Sequence, residues 1–292
     1  MNTAVLHGKT AIITGANQGL GREIARAYAQ AGASLLICAR DLELLRVVEQ
    51  ELSLLALPGQ AIEAVPADVS DARSVSVLVE RAVDRFGRID ILVNNAGIYG
   101  PMGAIEKVDW QAWLKTIEIN LFGSILMCNA VLPYMKRQHA GKIVQLSGGG
   151  ATTPMPMMSA YAVSKAAVVR FTDTLAEEVR EFNIDVNAIA PGALNTRMLD
   201  DVLAAGPEKV GKSFFDRSLQ QKATGGAGLE RGAALALFLA SAASNGITGK
   251  LISAQWDRWE DWPQHTDELR RSDVYTLRRI VGRDRGILWG DK

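Results

Sequence analysis

Short apolar runs alternate with longer amphipathic stretches along this chain. Residues 9–14, 34–39, 61–66, 89–93, 142–147 and 184–190 are brief, and most are rich in Ile, Val or Leu, as strands buried on both faces are. Between them, residues 20–31, 42–57, 72–86, 110–137 and 159–182 have helical length and period. This alternation predicts right-handed crossovers and a doubly wound parallel sheet, an α/β/α arrangement in three layers. Residues 199–228 are looser, with Gly206-Pro207 and Gly225-Gly226 bracketing a helical piece, and read as an insertion or lid ahead of a helix at 229–241. A last short strand falls near 250–253. One main domain over 1–254 and a C-terminal extension over 255–292 are therefore expected. The extension carries Trp256, Trp259, Trp262 and Trp289 among many charges. Indole rings favour burial, so it is expected to pack on the sheet edge, over a site, or on a partner subunit.

Composition narrows the classes. The 292 residues are 48% hydrophobic with a formal charge of +0, so nothing electrostatic calls for nucleic acid or an anionic membrane surface. Cys38 and Cys128 are the only cysteines, and both sit in apolar runs, where buried free thiols are expected rather than a disulfide framework. His7, His139 and His265 are scattered, and no metal site is expected. The N-terminus has no basic segment followed by an apolar stretch, and no apolar run looks long enough to cross a bilayer. No membrane and a cytoplasmic location follow by default.

Two features bear chemistry. Tyr161 and Lys165 stand four apart in a helical run and share a face. A free phenol titrates near about 10, too high for acid–base work at neutral pH, and a neighbouring ammonium favours the phenolate. A drop of about three units corresponds to roughly 4 kcal/mol. Alone, such a pair is also an ordinary helix-surface pair. The first strand runs into Thr14-Gly15-Ala16-Asn17-Gln18-Gly19-Leu20-Gly21. Glycines allow a tight turn and close backbone approach, and the helix that follows aims its free N–H groups at a diphosphate. Alone, this too is an ordinary turn.

The T-G-x-x-x-G-x-G spacing resembles the short-chain dehydrogenase/reductase family, and further matches follow in order. Asp68-Val69 follows the third strand, where that family's Asp contacts adenine. Asn94-Asn95-Ala96-Gly97 follows the fourth strand and looks like the family's cofactor-stabilising segment. Asn120 stands in the next helix at the place of the Asn that holds a water linked to the catalytic Lys. Tyr161 and Lys165 match the catalytic pair, Pro191-Gly192 follows the sixth strand, and Thr196 stands where the family's Thr bonds the nicotinamide amide. The resemblance covers residues 8–253. It implies a Rossmann-type domain that binds a nicotinamide dinucleotide through Gly15, Asn17, Gln18, Gly19, Leu20, Gly21, Asp68, Val69, Asn95, Ala96, Gly97, Pro191, Gly192 and Thr196, with Tyr161 and Lys165. It also implies an oxidoreductase that interconverts a carbonyl and a secondary alcohol on a small molecule, with Tyr161 as acid and base. A homodimer or homotetramer would pair helices 110–137 and 159–182, with Leu121, Ile125, Leu132, Ala166, Val169 and Leu175 supplying that surface or the intrachain core.

Three points refine the expectation. The second strand ends in Ala39-Arg40, where an acidic residue would bind the ribose hydroxyls of NAD(H). Arg40 is able to bond a 2′-phosphate, which favours NADP(H), although Asp41 stands next to it. In the family a Ser thirteen residues before the Tyr bonds the substrate carbonyl, and here that position is Gly148. Ser147 turned inward by a bulge, Ser159, or backbone N–H groups nearby are the alternatives. The missing Ser and the Trp-rich extension keep two other readings open: a non-redox NAD(P)-binding sensor or regulatory protein, and an epimerase or dehydratase using the same cofactor. Met155, Met157, Met158, Met198, Leu199, Phe214 and Phe215 suggest an apolar or amphiphilic substrate, or serve as core.

Overall fold

Successive strand residues feed two different apolar layers. Ala11, Ile13, Leu35, Ile37, Ile91 and Val93 pack into one, while Ile12, Leu36, Leu92 and Ile143 pack into the other. Both faces of the sheet are thus covered, which is why the strands read as unbroken apolar runs. The computed structural model describes residues 4–287 and 289; the first three residues of the N-terminal segment, and residues 288 and 290–292 of the extension, lie outside the described residues.

The chain order is β1 (Thr10–Thr14), α1 (Gly19–Gln30), β2 (Ser34–Ala39), α2 (Leu42–Ser53), β3 (Ile62–Pro66), α3 (Ala72–Phe86), β4 (Ile91–Asn94), α4 (Trp110–Ile117), α5 (Gly123–Gln138), β5 (Gly141–Leu146), α6 (Ser159–Glu178) and β6 (Ile184–Ala190). It continues with α7 (Arg197–Ala205), α8 (Pro207–Val210), α9 (Lys212–Thr224), α10 (Leu229–Ala240), β7 (Leu251–Ser253) and α11 (Thr266–Arg271). The seven strands lie in the order β3-β2-β1-β4-β5-β6-β7, all parallel. The chain winds outward from β1 to β3, then returns to start β4 beside β1. That reversal opens a crevice at the carboxyl ends of β1 and β4.

Three helices begin at aspartate caps. Asp41 accepts from the Leu44 N–H, Asp71 from those of Arg73 and Ser74, and Asp109 from that of Ala112. Several expectations need correction. The stretch expected as one helix over 110–137 is interrupted by a π turn at Glu118–Phe122, where the Gly123 N–H reaches back five residues to the Glu118 carbonyl. α2 ends at Ser53, leaving Leu54 and Leu57 outside it and exposed. The presumed lid is three helices, α7 to α9, rather than one helical piece. Trp110–Gln138 is, contrary to expectation, long and apolar enough to cross a bilayer by length and composition. In the fold it lies along the sheet with Met127, Cys128, Val131 and Met135 fully buried. Cys38 and Cys128 are buried free thiols, and burial pushes both up to about 12.

The described part of the extension lies on the sheet's edge, not over the crevice. The Leu251 N–H on β7 donates to the Tyr275 carbonyl at 2.8 Å, so the extension hydrogen-bonds to the outer strand. Lys250 Nζ donates to the carbonyls of Ser272 and Val274 at 3.1 and 2.9 Å, and Arg170 on α6 donates to that of Leu277. The four tryptophans divide. Trp259 and Trp262 are buried in the core cluster with α10 and β7, whereas Trp256 and Trp289 stand 87% and 80% exposed. The Trp259 ring meets Phe238 at 5.4 Å between centres and carries the Arg231 guanidinium 5.4 Å from its centre. Trp259→Ala is expected to cost about 3 kcal/mol of stability, as a large buried ring does. Trp256→Ala is expected to cost under about 0.5 kcal/mol. Urea denaturation midpoints of the two variants check the difference.

Candidate active site

β1 ends at Thr14, and the chain turns at once through Gly15 and Gly19, both left-handed at φ 63° and 56°. The turn is joined to the end of β4. Thr14 Oγ1 accepts from the N–H groups of Asn95 and Ala96 at 3.0 Å each and donates to the Val93 carbonyl at 3.3 Å. Asn95 Nδ2 donates to the carbonyls of Thr14 and Gly15, both at 3.0 Å. This fit leaves no room for side chains. A Cβ at Gly21 would stand 2.3 Å from Asn95 Nδ2 and from the Gly15 carbonyl oxygen, and one at Gly15 would stand 2.9 Å from Ala96 Cα. Unlike its aspartate-capped neighbours, α1 has no side-chain cap at Gln18. Its first N–H groups remain for a ligand, and the helix end favours an anion.

α6 supplies the phenol and the ammonium. Lys165 is 5% exposed; its Nζ donates to the Leu146 carbonyl at 2.7 Å and lies 5.7 Å from the centre of the Tyr161 ring. Burial brings Lys165 down to about 8 from an ordinary 10.5. The Tyr161 phenol is pushed above its ordinary range, by burial first and by Tyr99 second. The lowered phenol pKa expected from the i, i+4 pairing is therefore not what the chain by itself shows. Desolvation disfavours the charged phenolate.

Asn120 sits in the π turn. Its Nδ2 donates to the Ile98 carbonyl at 2.8 Å and to Ser164 Oγ at 3.0 Å, and its Oδ1 accepts from the Ile98 N–H at 2.8 Å. Ser164 in turn donates to the Tyr161 carbonyl at 2.7 Å. The Asn120 oxygen and the Lys165 ammonium both approach Gly97, where a Cβ would meet them at 3.2 and 3.5 Å. Ser147 is buried, and its hydroxyl turns toward the Lys165 carbonyl at 3.5 Å. Asp68 accepts from the Ser70 hydroxyl and N–H at 2.6 and 2.9 Å. Burial works to raise its pKa, but those bonds and the charges of Lys115 and Arg40 bring it below the usual carboxylate range.

A cavity of about 1120 Å³ lies among these groups at the carboxyl ends of the strands. Gly15, Asn17, Gln18, Gly19 and Leu20 line it from the turn after β1, and Arg40, Asp68 and Val69 from the ends of β2 and β3. Asn95, Ala96, Gly97, Ser147, Tyr161 and Lys165 line it from β4, β5 and α6, and Pro191 and Thr196 from beyond β6. Gly21, Asn120 and Gly192 do not reach the cavity. Gly21 lies under the turn against Asn95, Asn120 is held behind Ile98, and Gly192, at φ 96°, bends the chain after β6. Met198 lines the cavity, whereas Met158 is fully buried against Val202 and Val210. Sequence reasoning passed over Ile119, Arg197 and Asp201, which also line it, and Tyr99, whose ring meets Tyr161 edge-on with centres 4.7 Å apart. Nothing in the local pattern marks Tyr99, whereas Ser164 stood in plain view beside Lys165.

An uncapped helix end over a glycine turn, a carboxylate at the end of β3 and a buried ammonium together fit a nicotinamide dinucleotide. The fold and the site define a Rossmann-type oxidoreductase. The short chain dehydrogenase family matches residues 9–205, and the chain belongs to it. It is therefore an NAD(P)-dependent enzyme acting between CH–OH and C=O. The chain is 40% identical over 253 residues to the oxidoreductase UcpA of Salmonella typhimurium, covering 84% of this chain and 92% of that one. It is 35% identical over 211 residues to dehydrogenase/reductase SDR family member 7B of Bos taurus, where the match spans 71% of this chain and 65% of the relative's length. Among solved structures, levodione reductase superposes with a TM-score of 0.78 at 31% identity, covering 85% of this chain and 96% of that one.

The depressed Lys165 pKa carries a sign. The unfolded chain holds that proton up to about 10.5, but the folded chain releases it near 8, so stability rises with pH between those values. Relative to Lys165→Met, the native chain is expected to gain roughly 2 to 3 kcal/mol between pH 7 and pH 10. Denaturant titrations of both proteins at the two pH values measure it; parallel behaviour would place Lys165 in water.

Proposed function

We propose that this chain is an NADP(H)-dependent oxidoreductase interconverting a small-molecule carbonyl and a secondary alcohol, with Tyr161 as acid and base. The supporting observation is that the Tyr161 phenol and the Lys165 ammonium line the same cavity as the glycine turn. When bound, the nicotinamide supplies or accepts the hydride. Tyr161 gives a proton to the carbonyl oxygen in reduction and takes it back in oxidation. The ordinary phenol value is about 10 and burial raises it further, so the phenol is protonated at neutral pH, the form that reduction requires. Lys165 places one of its N–H donors on the Leu146 carbonyl and has others for the nicotinamide ribose. Its charge stabilises the phenolate left behind by proton transfer. Asn120, clamped by Ile98 and Ser164, would hold a water that links Lys165 to solvent. Ser147 lines the same cavity, and its hydroxyl, 3.5 Å from the Lys165 carbonyl, turns to orient a substrate.

Arg40 on the cavity supports NADP(H). Asp41 beside it directs a carboxylate oxygen to the Leu44 N–H at 3.1 Å, as the cap of α2. Gly15, Asn17, Gln18, Gly19, Leu20 and Gly21 form the diphosphate turn, with Asp68, Val69, Asn95, Ala96, Gly97, Pro191, Gly192 and Thr196 completing the cofactor's surroundings. Ile119, Leu146 and Met198 make part of the cavity apolar, which supports an apolar or amphiphilic substrate. Exposed Phe122 and Val163, with half-buried Leu121, Ile125 and Ala166, offer an apolar face on the π turn, α5 and α6 for a homodimer or homotetramer. Val169 and Leu175 are buried in the chain's own core, and Leu132 packs on it. The buried thiols suit a cytoplasmic location.

Tyr161→Phe is expected to lower kcat for NADPH-driven carbonyl reduction by about 10²- to 10⁴-fold with cofactor binding retained. Wild-type turnover in that variant, assayed over a panel of ketones, removes Tyr161 from the mechanism. Arg40→Ala is expected to weaken NADPH binding by about 10- to 100-fold and leave NADH binding unchanged. Fluorescence titration with each cofactor decides the preference.

A further inference from the structure

Three glycines follow Ser147, and the first meets something the others do not. A Cβ built on Gly148 would stand 2.4 Å from the Tyr161 hydroxyl oxygen and 3.4 Å from Cζ of the same ring. The nearest atoms to that position all belong to Tyr161. Gly148 is not among the residues with positive φ, so its backbone conformation does not require glycine. Gly150 differs: it is left-handed at φ 87°, and a Cβ there would strike Ala162 at 2.8 Å. Gly149 faces nothing nearer than Met155 Sδ at 4.0 Å. What glycine supplies at 148 is therefore space, and the phenol oxygen of Tyr161 occupies it.

The neighbours agree. Ser147 continues the ladder through its N–H to the Ile189 carbonyl at 2.9 Å and turns its hydroxyl toward the Lys165 carbonyl. Position 148 lies just past the end of β5, where its open side faces the phenol. Tyr99 holds the Tyr161 ring edge-on. Among the described residues the Tyr161 hydroxyl has no hydrogen-bond partner, so contact alone seats it.

We infer that Gly148 is the positioning residue for Tyr161: carrying no side chain, it lets the phenol rest against the end of β5. The inference rests on the reading of Tyr161 as acid and base. A side chain at 148 displaces the phenol tip and leaves the fold intact, because only that tip stands in its way.

The test uses the full chain with Gly148→Ala and Gly148→Ser, and Gly149→Ala as control. Tyr161 ionisation is read as the ultraviolet tyrosinate difference between each protein and its Tyr161→Phe counterpart, which needs no turnover. Burial raises the phenol pKa, so displacement into the cavity is expected to bring it down toward the ordinary value in both position-148 variants. Their kcat for NADPH-driven reduction is expected to fall at least about 10-fold, with KM for NADPH within about 2-fold. Gly149→Ala is expected to match wild type in all of these. A wild-type phenol titration in both Gly148 variants overturns the inference, as does equal or higher turnover, and so does failure of both to fold. If Tyr161→Phe alone keeps full turnover, the acid–base reading fails instead, and the phenol titration still decides whether Gly148 seats the ring.

Discussion

A buried ammonium in the wall of the cavity is the constraint around which this site is arranged. α6 carries Lys165 into the crevice, and one main-chain carbonyl, that of Leu146, accepts from it. Burying a charged group costs several kcal/mol unless polar partners surround it, and the fall of Lys165 to about 8 expresses that cost. The strain shapes its neighbours. Position 97 is tight for a side chain, because the Asn120 oxygen stands 3.2 Å and the ammonium 3.5 Å from where its Cβ would lie. Asn120 reaches that place only because the helix widens to a π turn at 118–122, and its amide is then fixed on both sides by the Ile98 backbone. A lysine on the outer face of α6 would demand none of this.

The parallel sheet explains why such a cost is tolerated at this end of the molecule. At the amino ends of the strands, charges are paired. Asp90, itself buried, accepts from Arg88 at 2.8 and 2.6 Å and from the Thr10 N–H at 3.0 Å, and Lys142 donates to Asp185 at 2.7 Å. At the carboxyl ends, Lys165 has no carboxylate beside it among the described residues, and α1 begins without a side-chain cap. Satisfied groups at one end hold the strands in register; incompletely satisfied groups at the other end make the binding site.

Much of this was legible in the sequence because it depends on local spacing. Period-two burial separates Ile12 from Ile13 whatever their partners are, so the strands could be read from residue types. The i, i+4 relation of Tyr161 and Lys165 survives any placement of α6. What could not be read depends on distant packing. No local signal marks the π turn, since it is set by Asn120 meeting Ile98 from another loop. The phenol's raised pKa follows from how deeply α6 is buried, which spacing does not encode. The tryptophans of the extension look alike in sequence, yet Trp259 and Trp262 find the core, Trp259 against Phe238 of α10 and Trp262 against Tyr275, while Trp256 and Trp289 stay exposed.

Gly148 shows the same division in one residue. In sequence it reads as a loss, the absence of a hydroxyl where the family resemblance implies one. In space it is a fit, because the volume a side chain would take is filled by the Tyr161 oxygen. The two descriptions imply different chemistry. A lost donor leaves the carbonyl less polarised and everything else unchanged. A seated phenol changes its own surroundings, lying against backbone and the edge of Tyr99 with no protein acceptor for its proton among the described residues. A proton held that way is retained until a substrate oxygen arrives to take it, which suits reduction better than a phenol that shares its proton with a neighbouring hydroxyl.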